Sequence, residues 1–169
     1  LASLGFGFLE IGSVSAEPST GNPKPRLWRL AREQAIIVNY GLPNEGAEKV
    51  AARVQAMKLP VPLGINIVKT NKLCAEADHL VLDDYVRSVG ILKDAGDYLV
   101  LNLSCPNTEN GRDFFGGHTQ TRLLLERLSE YELKRPLFLK VSPLGGAPAI
   151  DALLEAADPF PFVSGFIFN

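Results

Sequence analysis

Asn102, Ser104, Cys105 and Asn107 stand together in the stretch Asn-Leu-Ser-Cys-Pro-Asn, shortly after the apolar run Tyr98–Val100. A cysteine thiolate acts as base or nucleophile. Asparagine presents paired donors and acceptors that suit a flat polar ligand. A free thiol titrates near about 8.5, so work at neutral pH requires a perturbed or assisted thiol. Taken alone, a free cysteine is most often a small buried hydrophobe, and an asparagine beside proline is most often a turn residue. A thiol at a strand end with an asparagine on either side shifts the balance towards a reactive site. Ser104 reads as a hydroxyl bonded to strand-end backbone. Lys140, in the run Leu137–Val141, is either a strand-end lysine reaching for water or a cation placed where negative charge develops. Asn66, inside Leu-Gly-Ile-Asn-Ile, needs a partner if buried. Gly12 and Ser13 follow another apolar run, and glycine admits close backbone approach to a ligand.

These residues need elements to hold them. Strands are predicted over Phe6–Ser13, Leu63–Val68, Tyr98–Leu103, Pro136–Ser142 and Val163–Phe168. Helices are predicted over Gly46–Met57, Asp78–Ala95, Thr119–Tyr131 and Ala147–Ala157. Asn44 is placed to cap the first helix, with Ala47, Val50, Ala51 and Val54 on its inner face. Leu80, Tyr85, Val89 and Leu92 form the inner stripe of the second, and Leu123, Leu124 and Leu128 that of the third. Residues 15–30 are rich in proline, glycine and serine and read as a loop. Lys69 and Lys72 read as solvated loop charges. Alternating strands and helices argue for an α/β fold with a parallel sheet and right-handed crossovers. An open doubly wound sheet and a (β/α)8 TIM-type barrel both fit. The barrel is favoured because Ser13, Asn66, Asn102 with Cys105, Lys140 and Asn169 all stand at strand ends, where such barrels build their sites. No Gly-x-Gly-x-x-Gly follows a strand. A full barrel takes ~250 residues, so the chain reads as about five strands of an incomplete barrel, one domain over residues 1–169.

Composition excludes several classes. With 169 residues the chain is long enough for a real core. Its formal net charge is −2, with no basic stripe suited to nucleic acid. No apolar run approaches the ~20 residues of a membrane span, and the first residues have no signal-peptide pattern. Two cysteines, Cys74 and Cys105, make no disulfide framework and suit a reducing compartment. His79 and His118 have no metal-ligand spacing. The absence of an initiating methionine and the final Phe-Ile-Phe-Asn read as an excerpt from a longer protein.

The stretch Asn-Leu-Ser-Cys-Pro-Asn resembles the active-site signature of the dihydroorotate dehydrogenases and their flavin-dependent relatives. The resemblance runs from Gly5 to Asn169. It passes through Phe6-Gly7-Phe8-Leu9-Glu10-Ile11-Gly12-Ser13, Gly21-Asn22-Pro23-Lys24-Pro25-Arg26, Leu63-Gly64-Ile65-Asn66-Ile67 and the Lys140 strand. It implies a TIM-type barrel that binds FMN and oxidises dihydroorotate to orotate in pyrimidine (UMP) biosynthesis. It implies that Cys105 is the base that takes a proton from C5 of dihydroorotate. Asn102, Asn107, Asn39, Gly41, Leu42 and Asn169 are then the substrate contacts. Gly12, Ser13, Asn66, Asn102 and Lys140 are then the flavin contacts, with Lys140 at the N1–C2 edge. The first barrel strand and the last strands, which carry the FMN phosphate site, are expected outside this chain.

Two classes of the family are mixed here. Cys105 and Gly41-Leu42-Pro43-Asn44 are similar to the soluble class. Phe6–Val14, Arg26–Leu30 and Gly111-Arg112 are similar to the quinone-dependent class, in which the residue matching Arg29 borders the quinone tunnel. The longer stretches favour a quinone acceptor, with peripheral membrane contact through an N-terminal segment; a soluble-class enzyme would be cytoplasmic. Val38 stands where the family usually has a substrate asparagine, one place before Asn39. The rival readings are a soluble-class enzyme, a related FMN-dependent dihydropyrimidine-type oxidoreductase, and a non-catalytic remnant.

Overall fold

A computed structural model of the chain describes residues 1–71, 78–104, 115 and 118–168. Seven strands and four α-helices are formed among them. The strands are β1 (Leu9–Val14), β2 (Leu27–Leu30), β3 (Ala35–Val38), β4 (Leu63–Ile67), β5 (Tyr98–Asn102), β6 (Leu137–Val141) and β7 (Val163–Phe168). The helices are α1 (Ala47–Gln55), α2 (Asp78–Leu92), α3 (His118–Leu128) and α4 (Gly146–Ala157). Five strands form one sheet in the order β1-β4-β5-β6-β7, and every pairing is parallel. Each neighbour is thus the next strand of the α/β alternation, as in a barrel segment; a doubly wound sheet reverses its strand order instead.

Side-chain alternation divides the sheet into two faces. Leu63, Ile65, Ile67, Leu99, Leu101, Leu137 and Leu139 join the main apolar cluster with the helices. Between them lie Gly64, Asn66, Tyr98, Val100, Asn102, Phe138 and Lys140, on the opposite, inner face. There the Tyr98 ring meets Phe8 and Phe138 edge-on, at centroid distances of 6.3 and 5.8 Å. Gly64 leaves room for that ring, which a Cβ at this position would strike.

The helices bury single stripes. Ala47, Val50, Ala51 and Val54 are the buried residues of α1, as expected. In α2 the stripe is Val81, Leu82, Tyr85, Ser88, Val89 and Leu92. In α3 it is Thr121, Leu124, Leu125 and Leu128. Leu80 and Leu123, expected to point inward, are exposed. Each directly precedes a buried residue of its stripe, and one residue turns a helix by about 100°. Asn44 does not cap α1 through the first-turn amides either. Its Oδ1 accepts from the amides of Gly46 at 2.9 Å and Ser15 at 3.3 Å, which fixes the turn leading into the helix.

The loop expected over residues 15–30 contains a strand. β2 pairs antiparallel with β3, from Leu27 opposite Val38 to Leu30 opposite Ala35. All of β3 is exposed, so it carries no half-buried alternation for a sequence reading to find.

Candidate functional site

Parallel register gathers the polar strand-end residues. Gly12 lies opposite Asn66, and Asn102 lies opposite Lys140. Neighbouring strands run about 4.8 Å apart, so Asn66, Asn102 and Lys140 belong to three adjacent strands at the C-terminal edge of one face.

Asn66 is buried and fully oriented. Its Nδ2 donates to Glu10 Oε1 at 2.9 Å, and its Oδ1 accepts from Ser13 Oγ at 3.2 Å. Glu10 thereby decides which way the amide faces. Gly12 has φ of +129°, and a Cβ there would lie 2.5 Å from the Asn66 carbonyl oxygen. Close packing of β1 on β4 therefore demands the glycine, whatever ligand passes alongside. Asn102 is held at both ends: its carbonyl accepts from the Tyr85 hydroxyl at 2.8 Å, and its Oδ1 accepts from the Ser104 amide at 3.3 Å. Its Nδ2 has no hydrogen-bond acceptor among the described residues. Lys140 is half-buried, and no ion pair reaches it among the described residues.

The loop over Asn39, Gly41 and Leu42 is tied to its surroundings by backbone and amide bonds. Gly41 has φ of +67° and Leu42 φ of +54°. Asn22 Nδ2 donates to Asn39 Oδ1 at 2.7 Å, so this exposed asparagine has its side-chain carbonyl engaged within the loop. The Gly41 carbonyl accepts from Asn71 Nδ2 at 2.8 Å and Ser19 Oγ at 3.3 Å. Thr70, beside Asn71, donates its amide and its hydroxyl to the two carboxylate oxygens of Asp84, each at 2.7 Å. Burial raises the Asp84 carboxyl above its ordinary value; the Thr70 bonds and the charges of Lys69 and Arg87 pull it back. Lys69 is 3% exposed, which corrects its reading as a solvated loop charge. Its place two residues after the buried strand β4, next to the buried Val68 and within the field of Asp84, accounts for this.

Cys105, Asn107 and Asn169 lie outside the described residues, as does Lys72. Glu10, Asn22, Asn71, Asp84 and Tyr85 were not picked out from the sequence as parts of the site. Glu10 and Asn22 stand in stretches that carry the resemblance and Tyr85 in the α2 stripe, but the partners that give these residues their part in the site are distant in the chain.

The sheet order and the polar strand ends define a segment of a parallel (β/α)8-type barrel. A family model described as dihydroorotate dehydrogenase matches residues 1–164. The chain belongs to the dihydroorotate dehydrogenase family. Relatives named dihydroorotate dehydrogenase (quinone) include one from Synechococcus sp. (strain JA-3-3Ab), 37% identical over 94% of this chain and 42% of its own length. Another, from Thermus thermophilus, is 39% identical over 92% of this chain and 44% of its own. The chain thus spans less than half the length of these relatives. Crystal structures of DHODH from Eimeria tenella superpose with TM-scores of 0.78 for a ferulenol complex and 0.79 for the ligand-free type. Identity is 25% and 26%, over 96% and 98% of this chain and 50% and 52% of theirs.

Proposed function

We propose that this chain is part of an FMN enzyme that oxidises dihydroorotate to orotate and passes the electrons to a quinone. The observation that carries the reading is that Asn66, Asn102 and Lys140 share one face near the C-terminal ends of three adjacent strands, with Asn102 opposite Lys140 and Asn66 opposite Val100, two residues before Asn102. A cation with no counter-ion among the described residues, opposite one amide and on the same face as a second, suits an electron-rich ring system that gains negative charge. The site fits FMN on that ground: amides offer donors and acceptors to the ring's polar edge, and Lys140 offers the charge.

In this reading Gly12, Ser13, Asn66, Asn102 and Lys140 hold the flavin. Asn102, Asn107, Asn39, Gly41, Leu42 and Asn169 hold the substrate. Cys105 takes the proton from C5 of dihydroorotate. Bound FMN supplies the two-electron acceptor. Lys140 balances the charge that accumulates beside it, and the Glu10–Asn66–Ser13 chain keeps one amide in a single orientation. The names of the relatives and the Arg26–Leu30 wording support quinone as final acceptor, with peripheral membrane association. Among the described residues, no helix is long and apolar enough to cross a membrane. Cys105 supports a soluble-class acceptor instead, and turnover with quinone against a dissolved acceptor separates the two.

The test is stopped-flow flavin reduction by dihydroorotate in the full-length protein, across pH, for wild type, Cys105→Ser and Cys105→Ala. Loss of ~10² or more in the Ala variant, with flavin retained, is expected of a general base. Reduction of the Ala variant at the wild-type rate overturns the assignment of Cys105.

A further inference from the structure

We infer that Asp84 and Asn71 are positioning residues for the substrate loop, an inference that rests on the function proposed above. Neither belongs to the expected substrate or flavin contacts. Asp84 stands on α2, and its carboxylate takes both the amide and the hydroxyl of Thr70 at 2.7 Å. The same hydroxyl accepts from the Glu17 amide at 3.2 Å, so Thr70 also holds the chain that leaves β1. The next residue, Asn71, donates to the Gly41 carbonyl at 2.8 Å. A continuous line of hydrogen bonds and chain therefore runs from α2 through Thr70 and Asn71 to Gly41.

That line has a geometric purpose. Gly41 and Leu42 both adopt positive φ, a conformation that costs free energy at a residue with a side chain and persists when its surroundings hold it. Asn71 and Ser19 hold the carbonyl of Gly41, and Asn22 holds Asn39. The loop is thereby set in advance, and a ligand meeting it does not have to order it. Loosening the line makes ligand binding supply that ordering. Binding of the substrate weakens, while the flavin contacts on β1, β4, β5 and β6 are untouched.

The test is calorimetric titration of orotate into the full-length holoprotein, with flavin content and melting temperature measured in parallel. Asn71→Asp keeps the size and removes the donor to Gly41; Asp84→Asn keeps the size and removes one acceptor for Thr70. Each is expected to weaken orotate binding roughly tenfold, the scale of one hydrogen bond, with flavin content unchanged. Thr70→Ser keeps the hydroxyl and is expected to bind as wild type does. Orotate binding at wild-type strength in both Asn71→Asp and Asp84→Asn overturns the inference alone. Parallel loss of flavin and orotate also overturns it, as a general structural effect. Failure of the wild-type protein to bind orotate overturns the functional reading, and this inference with it.

Discussion

A side chain at Gly12 has no free space and no relaxed backbone to stand on. The Asn66 carbonyl oxygen lies 2.5 Å from the place of its Cβ, and φ is +129°. Gly12→Ala is expected to destabilise the full-length protein by about 1–3 kcal/mol, read from urea unfolding. An unchanged unfolding midpoint would show that β1 can move away from β4 without cost. At this scale the sequence showed which residues were unusual: a glycine, an asparagine in an apolar strand and a lysine closing another. It did not show the Glu10–Asn66–Ser13 chain, because hydrogen bonds between β1 and β4 join residues more than fifty positions apart.

The elements differ in how much they bury, and so in how firmly they are held. β4 is buried along its whole length between β1 and β5. The β2–β3 hairpin has two strands and an exposed β3, with Ile36 at 60% and Ile37 at 53% exposure. Few buried contacts mean low local stability. Amides of β2 and β3 are expected to exchange at least about tenfold faster than those of β4 and β5 in the full-length protein. Equal protection would mean that another part of the protein covers the hairpin. Helix faces were legible because a 3.6-residue period marks them; α1 matches residue for residue. The hairpin was not legible, since proline-rich flanks and a fully exposed strand leave no period to read.

At the scale of the molecule, β1 and β7 each have a free edge within the described sheet. Phe8, against the inner-face ring of Tyr98, is 65% exposed, and Phe168 at the end of β7 is 49% exposed. Unpaired edges beside exposed apolar rings promote association between chains. These 169 residues expressed alone are expected to aggregate or to melt without a cooperative transition; a sharp reversible melt by calorimetry would contradict this. The sequence by itself determined the α/β alternation, the inner stripe of α1 and the polar residues at the strand ends, because each is written in local period and residue type. Only the tertiary structure decided that Asn66, Asn102 and Lys140 share one edge, that Lys69 is buried, and that Asp84 and Asn71 reach towards Gly41. Those facts depend on strand register and loop packing, which join residues far apart in the chain and leave no local signature.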